Sequence, residues 1–215
     1  MPRSFDCADP AARAEGLTAA AAAIGTGKLV VLPTDTVYGI GADAFTPTAV
    51  AALMRAKRRG RDMPVPVLIS SPRTLDGIAT QIPAVARDLV AAFWPGALTV
   101  VCHQQPSLRW DLGDARGTVA VRMPLEALAL ELLRTTGPMA VSSANLTGRT
   151  PARDAVEARA QFGELVEVYL DAGPIDEAAP SSIVDVTGDR PRLLRAGAIS
   201  IEDLRAVAAE LEECP

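Results

Sequence analysis

The chain has 215 residues, 49% of them hydrophobic and 22% charged, with a formal net charge of −5. That length buries a real core and fits one domain, 1–215, and the acidic balance argues against a broadly basic nucleic-acid binder while leaving room for a local basic pocket. No apolar run approaches the roughly 18 residues of a membrane span, and MPRSFDCADP has no hydrophobic signal core, so a cytoplasmic protein with no membrane partner is expected.

Cys7, Cys102 and Cys214 are widely spaced, form no CxxC and have one histidine, His103, to join them, which excludes an evident zinc or disulfide framework. The basic residues are 19 Arg and two Lys, Lys28 and Lys57.

In chain order, Asp9 and Pro10 read as N-cap and first helical position of an alanine-rich helix ending near Gly25 and Gly27. The run from Leu29 to Leu32 is short and wholly apolar, a strand buried on both faces. Pro33 stops it. Thr34, Asp35 and Thr36 then fall just past the strand's carboxyl end, where open α/β sheets place ligand crevices. The rest of PTDTVYGIGADA reads as loop, with Gly39 and Gly41 letting backbone approach whatever lies there; a plain polar turn is the alternative.

Thr46 and Pro47 open a second helix with Val50, Leu53, Met54 and Lys57 on one face. KRRGRDMPVPVLI, residues 57–69, has Lys or Arg at four of its first five positions and leads into a strand over 65–69. Such a run is either a solvated helix end or an anion site, and a lysine closing an apolar stripe favours the second for the cluster as a whole.

Ser71 and Pro72 start a short helical piece. A helix over 83–93, with Val85, Leu89, Ala92 and Phe93 inward, is broken by Trp94, Pro95 and Gly96. A strand covers 97–101, and 103–116 is a polar connection in which His103 is a surface residue without catalytic partners. Thr118 to Arg122 alternates as a strand with Thr118, Ala120 and Arg122 on one face, the arginine directed to a cleft.

The helix from Leu125 to Arg134 has Leu125, Leu128 and Leu132 as core positions. A strand from Met139 to Val141 ends in SSANLTGRTP, where Ser142, Ser143 and Asn145 offer hydroxyls and an amide suited to phosphate oxygens; Thr150 caps the next helix at Pro151. A strand over 165–170, a loop over 172–180 and a hairpin made by SSIVDV and RLLRAG follow, with Arg195 at its end. Ser200 and Asp203 cap a last helix, about 200–213, with Leu204, Val207 and Leu211 inward. The alternation predicts an α/β fold with a mixed sheet, largely parallel with antiparallel additions.

Neither GxGxxG nor a P-loop is complete, and no Ser, His and Asp triad assembles around His103. With no nucleophile announced, an enzyme here works by positioning and charge stabilisation. Cationic ends with hydroxyls between them suit a polyanionic ligand, either a nucleotide or an RNA surface.

PTDTVYGIGADA, the KxR of Lys57 and Arg59, FWPGALT, TVAVRMP, SSANLTG, and SSIVD with LLRAG together resemble the YrdC-like family, the threonylcarbamoyl-AMP synthases, in its short single-domain form. The resemblance spans 29–197, within a motif-bearing core of 14–200. It implies a twisted mixed sheet flanked by helices around a central ligand cleft, and condensation of L-threonine, bicarbonate and ATP to threonylcarbamoyl-AMP and pyrophosphate for tRNA modification.

It also implies site residues. Lys57 and Arg59 are the catalytic pair; Lys57, Arg59, Thr118, Ser143, Asn145 and Arg195 bind ATP; Thr36, Arg122 and Ser181 bind threonine; Thr34, Asp35 and Ser142 complete the cleft. Mg2+ enters with ATP, with no metal ligand from the protein. Partners are the tRNA-modifying transferase proteins, with tRNA or double-stranded RNA contact as a further expectation through a non-catalytic RNA-binding paralogue; a carbamoyl-adenylate former is a third reading. Gly60 and Leu68 stand where many members have Pro and His.

Overall fold

The computed structural model describes residues 1–175 and 179–213, so Cys214 and part of the 172–180 loop lie outside the described residues. Among the described residues, twelve strands form one sheet. Its path is β1 (Arg3–Asp6), β9 (Val168–Asp171), β2 (Val30–Leu32), β3 (Gly39–Asp43), β8 (Met139–Ser143), β4 (Val67–Leu68), β7 (Thr118–Arg122), β6 (Leu98–Gln104), β10 (Ser182–Asp185), β11 (Arg192–Arg195) and β12 (Glu212–Glu213), with β5 (Ala79–Thr80) on β6.

The sheet is mixed, but not largely parallel. β2 with β3, β3 with β8, β8 with β4, β6 with β7, β5 with β6 and β10 with β11 run antiparallel, while β9 with β1 and β2, β4 with β7, β6 with β10 and β11 with β12 run parallel.

The main source of that difference is β3. Residues 39–43 are strand, paired with both β2 and β8, and only 33–38 form the connecting loop. Two glycines disguise the strand, and their role is packing inside the sheet: a Cβ on Gly39 would stand 2.7 Å from Val141 Cγ1, and one on Gly41 2.8 Å from Met139 Cε. The close approach is to β8, not to a ligand.

Helix α1 (Pro10–Gly25) starts as expected, Asp9 accepting from the Ala12 amide at 2.7 Å. It packs with α5 (Ala127–Thr136) on one face of the sheet, over Val30, Leu32, Leu68, Met139 and Val141. The other face carries α2 (Pro47–Lys57), α4 (Ala84–Phe93), α6 (Ala155–Phe162) and α7 (Ile201–Val207); α3 (Leu75–Ile78) is a single turn on the same core.

Over β7, β6, β10 and β11 that second face is the closed one. Val100, Val119, Val121, Val184 and Leu193 are buried, whereas the alternate residues Val101, Ala120 and Ile183 are half-buried and Leu194 is exposed. Because side chains alternate across a strand, half the sheet is left open on the face of α1 and α5. That opening is the cleft.

Several local expectations are corrected. Leu125 is exposed, and the helix begins two residues later behind Glu126, whose side chain caps Leu128 N. Ala92 is exposed, and Ala86 and Val90 point inward with Leu89. Thr150 caps nothing: α6 starts at Ala155 with Asp154 accepting from the Glu157 amide at 2.7 Å.

Thr46 makes no capping bond and donates instead to Asp43 Oδ2 at 2.6 Å. The strand over 65–69 pairs regularly only at Val67 and Leu68, since Pro64 and Pro66 lack the N–H a ladder needs. His103 lies within β6, its Nε2 3.2 Å from Thr187 O. The last helix ends at Val207 rather than near 213, and the chain returns to the sheet as β12.

Candidate active site

Three polar clusters converge on the open half-sheet. The first joins the 33–38 loop to the end of β7. Thr34 folds the loop on itself, its hydroxyl donating to Val37 O at 2.6 Å and accepting from the Thr36 and Val37 amides. Below it Arg122, almost wholly buried, spreads its guanidinium over three partners: Nε donates to Gly96 O at 2.9 Å, Nη1 to Thr36 Oγ1 at 2.8 Å and Nη2 to Asp35 Oδ1 at 2.7 Å. Asp35 Oδ1 also accepts from the Leu125 amide at 2.9 Å. Burial lowers the Arg122 pKa, the Asp35 charge opposes that shift, and Arg195 adds to it.

The second cluster lies where α2 meets the end of β8. Lys57 is 2% exposed. Its Nζ donates to Ser143 O, to Asn145 O at 2.6 Å and to Asn145 Oδ1 at 3.4 Å. The Ser143 hydroxyl in turn donates to Asn145 Oδ1, and the Asn145 amide to Arg149 O at 2.7 Å. Burial first, then the neighbouring Arg59 charge, lowers Lys57 to about 7.

Arg58 in the left-handed region ends the helix and turns Arg59 inward, where it donates to Met63 O, Pro64 O and Ser142 Oγ. The Arg59 pKa is lowered by burial and by Arg195.

The third cluster is the start of β10 with the end of β11. Arg195 clasps Ser181, donating from Nε and Nη2 to its carbonyl at 3.0 and 2.8 Å and from Nη2 to its hydroxyl at 3.0 Å. Ser181 Oγ lies 2.8 Å from Thr99 Oγ1 on β6. Since the Arg195 charge is felt at both Arg59 and Arg122, it is the electrostatic link between the clusters.

Thr118 is held apart from these polar groups. Its hydroxyl donates to Ala115 O at 2.7 Å, and it lines a cavity of about 190 Å³ whose walls are chiefly apolar, among them Val65, Val101, Leu112, Ala120 and Leu194. Pro64, whose carbonyl accepts from Arg59, lines the same cavity, so an apolar hollow adjoins a cationic rim. Leu68 is buried against Met139 and Val141 and serves the core.

Three features escaped the sequence reading. Tyr38 is wholly buried; its hydroxyl donates to Gly173 O at 2.7 Å and accepts from the Ala172 amide, tying the loop after β9 to the 33–38 loop. Burial raises its pKa. Thr99, on the alternate register of an apolar strand, is the polar residue that FWPGALT offered. Arg61 bridges two surface segments, which no local pattern signals.

An α/β domain whose open half-sheet sets a cationic, hydroxyl-lined cleft beside an apolar cavity has the form of a nucleotide-using synthase fold. The comparisons make the class specific. Residues 22–197 match the Sua5, YciO and YrdC family model described as telomere recombination. The chain is 59% identical over 207 residues to a putative threonylcarbamoyl-AMP synthase of Mycobacterium tuberculosis H37Rv, covering 96% of this chain and 95% of that protein.

It superposes with a TM-score of 0.89 and 36% identity on the Pyrococcus abyssi Sua5 structure complexed with L-threonine, covering 93% of this chain and 59% of that one. Escherichia coli YciO shares the fold, with a TM-score of 0.83 at 21% identity, and covers 95% of this chain and 100% of its own. The chain belongs to the Sua5, YciO and YrdC family, among its threonylcarbamoyl-AMP synthases.

Proposed function

We propose that this domain condenses L-threonine, bicarbonate and MgATP into threonylcarbamoyl-AMP and pyrophosphate, supplying the activated group for threonylcarbamoyladenosine in tRNA. The observation that carries the reading is the adjacency of two different subsites: a buried arginine with a threonine hydroxyl and a carboxylate as side-chain partners, for a small acid, and a cationic rim on an apolar cavity for a nucleotide.

In this reading the cavity beside Thr118 takes the nucleoside, with Leu112, Ala120 and Leu194 against the base. Arg59, Arg195, Ser143 and Asn145 face the phosphates, and Lys57 joins them by holding the 143–145 turn. Thr36, Arg122 and Ser181 hold threonine, two N–H groups of Arg122 remaining for its carboxylate. Thr34 and Ser142 shape the walls.

The ammonium loses one proton to solvent, and the amine then condenses with bicarbonate to a carbamate and one water. A carbamate oxygen then attacks the α-phosphorus, and the bond to the β-phosphate oxygen breaks as pyrophosphate leaves. Charge grows on the phosphorus oxygens as this occurs, and preorganised Arg59 and Arg195 stabilise it without reorienting. Magnesium arrives as part of the nucleotide substrate.

No side chain of the chain forms a covalent intermediate in this scheme. The product passes to tRNA-modifying transferase proteins in the cytoplasm. Pyrophosphate release by the purified chain with MgATP is expected to require both L-threonine and bicarbonate, and to fall by at least about 100-fold in Arg59→Ala. Release indifferent to threonine, or undiminished by the substitution, overturns the assignment.

A further inference from the structure

Arg122 and Asp35 form the one ion pair among the described residues in which both side chains are largely withdrawn from solvent, at 8% and 16% exposure. Burying such a pair carries a desolvation cost that mutual attraction offsets only when the remaining capacity of both groups is used. The protein's own groups leave part of that capacity open, and since no buried polar side-chain atom among the described residues lacks a partner, what is left open faces the cleft. Both bonds recorded for the Asp35 carboxylate, from Arg122 Nη2 and from the Leu125 amide, end on Oδ1. Oδ2 has no hydrogen-bond partner among the described residues. On the other side of the pair, three of the five Arg122 N–H groups are engaged.

An α-amino acid arrives as a zwitterion, with its carboxylate and ammonium one carbon apart. The spare N–H groups of Arg122 satisfy the carboxylate. The ammonium needs an acceptor, and the arginines assembled at the site, Arg59, Arg122 and Arg195, are cations that repel it. Asp35 is the carboxylate already adjacent to that arginine, whereas Asp62 acts on Arg59 at the other cluster.

We propose that Asp35 Oδ2 accepts the ammonium of the substrate, so that the Arg122 and Asp35 ion pair reads the zwitterion as a unit and selects an α-amino acid over the corresponding α-hydroxy acid. Seating a dipolar substrate on an ion pair adds no net charge to a half-buried site. It also fixes the nitrogen that must capture bicarbonate, because a carboxylate tied through Oδ1 to Arg122 and to the Leu125 amide cannot swing. The inference rests on the amino-acid substrate proposed above and deepens it.

The test is calorimetric titration of the full chain, wild type and Asp35→Asn, with L-threonine and with the analogue in which hydroxyl replaces the ammonium, 2,3-dihydroxybutanoate of the same configuration. Asparagine keeps an acceptor for Arg122 and Leu125 and puts an N–H donor where the ammonium would bind. Wild type is expected to bind threonine at least about 10-fold tighter than the analogue, as for a charge-assisted hydrogen bond.

Asp35→Asn is expected to lose about 10- to 100-fold for threonine and to hold the analogue within about threefold, with MgATP affinity unchanged. Equal losses for both ligands would show that Asp35 acts only by orienting Arg122 and would overturn the inference, as would a wild type indifferent to the ammonium, a result that needs no folded variant. A wild type that binds MgATP but neither acid would overturn the synthase reading itself.

Discussion

Lys57 closes the apolar stripe of α2 and delivers its amine to the carbonyls of Ser143 and Asn145, so its charge is spent inside the protein before any ligand arrives. Burial, with Arg59 beside it, lowers Lys57 to about 7. The ordinary lysine value is about 10.4, so between these two pH values the unfolded chain holds a proton at this residue that the folded chain has released. Stability rises with pH wherever the unfolded state binds more protons. The cost of burying Lys57 is therefore greatest below pH 7 and relieved as pH rises through that window.

Urea unfolding of the wild type and Lys57→Met at several pH values measures it. The wild type is expected to gain on the variant steadily from pH 7 to pH 10, since titrations common to both cancel in the difference. A gap that stays constant would mean that the carbonyls hold the ammonium protonated throughout.

Between elements, the decisive join is that of the 57–65 segment to the 105–117 connection. Arg61 donates to Asp111 through both terminal nitrogens, at 3.0 and 2.9 Å, and to Asp114 through Nε at 3.1 Å. Its carbonyl accepts from the Asp114 amide at 2.7 Å, while the Val65 amide donates to Leu112 O at 2.8 Å. Gly113, at φ +102°, fits against them where a Cβ would lie 2.9 Å from Arg61 O. Leu112 and Ala115 on the far segment are walls of the cavity proposed for the nucleoside, and Arg59 on the near one is the proposed contact of its phosphates.

On the proposed nucleotide placement, Arg61 positions base wall and phosphate arm relative to each other without touching either ligand part. Its ion pairs are half exposed, and exposed pairs contribute little to global stability. Arg61→Ala is accordingly expected to raise the MgATP dissociation constant several-fold and leave threonine affinity unchanged, with a melting temperature within about 3 °C of wild type. A fall in melting temperature with unaltered nucleotide affinity would make the clamp merely structural.

Joins of this kind explain what the sequence concealed. Strands such as Val30–Leu32 and Thr118–Arg122 were legible because apolar runs and alternation are local. β3 was not, because glycine at 39 and 41 is set by side chains of β8 a hundred residues on. The edge strands β1 and β12 are polar and exist through pairing with distant partners, which propensity does not show. At the site, residue types at strand ends were readable, but the separation of 87 positions from Asp35 to Arg122 hid their pairing, and the partners of Lys57 include backbone oxygens, which carry no sequence signature.

At the scale of the molecule, a chain of net charge −5 concentrates Lys57, Arg59, Arg122 and Arg195 in one cleft, with Asp35 on Arg122 and Asp62 acting on Arg59. Elsewhere much of the basic surface is neutralised locally: Arg3 by Glu15, Arg13 by Glu131, Arg61 by Asp111 and Asp114, Arg87 by Asp76, Arg190 by Glu212 and Arg205 by Glu213. A nucleic-acid duplex presents an extended row of phosphates and is bound by an equally extended stripe of cations, with an affinity that falls steeply with salt.

The cations of the cleft are gathered in a pocket, not a stripe, and they suit a compact polyanion. Raising sodium chloride from 50 to 500 mM is therefore expected to weaken MgATP binding several-fold, a modest effect because the cationic groups are partly withdrawn from the screening ions. Duplex RNA is expected to show no saturable binding at 150 mM salt. RNA binding that declines by orders of magnitude over that range, and that Arg58→Ala and Arg61→Ala weaken together, would demonstrate several simultaneous phosphate contacts outside the cleft and return the exposed end of α2 to consideration as an RNA surface.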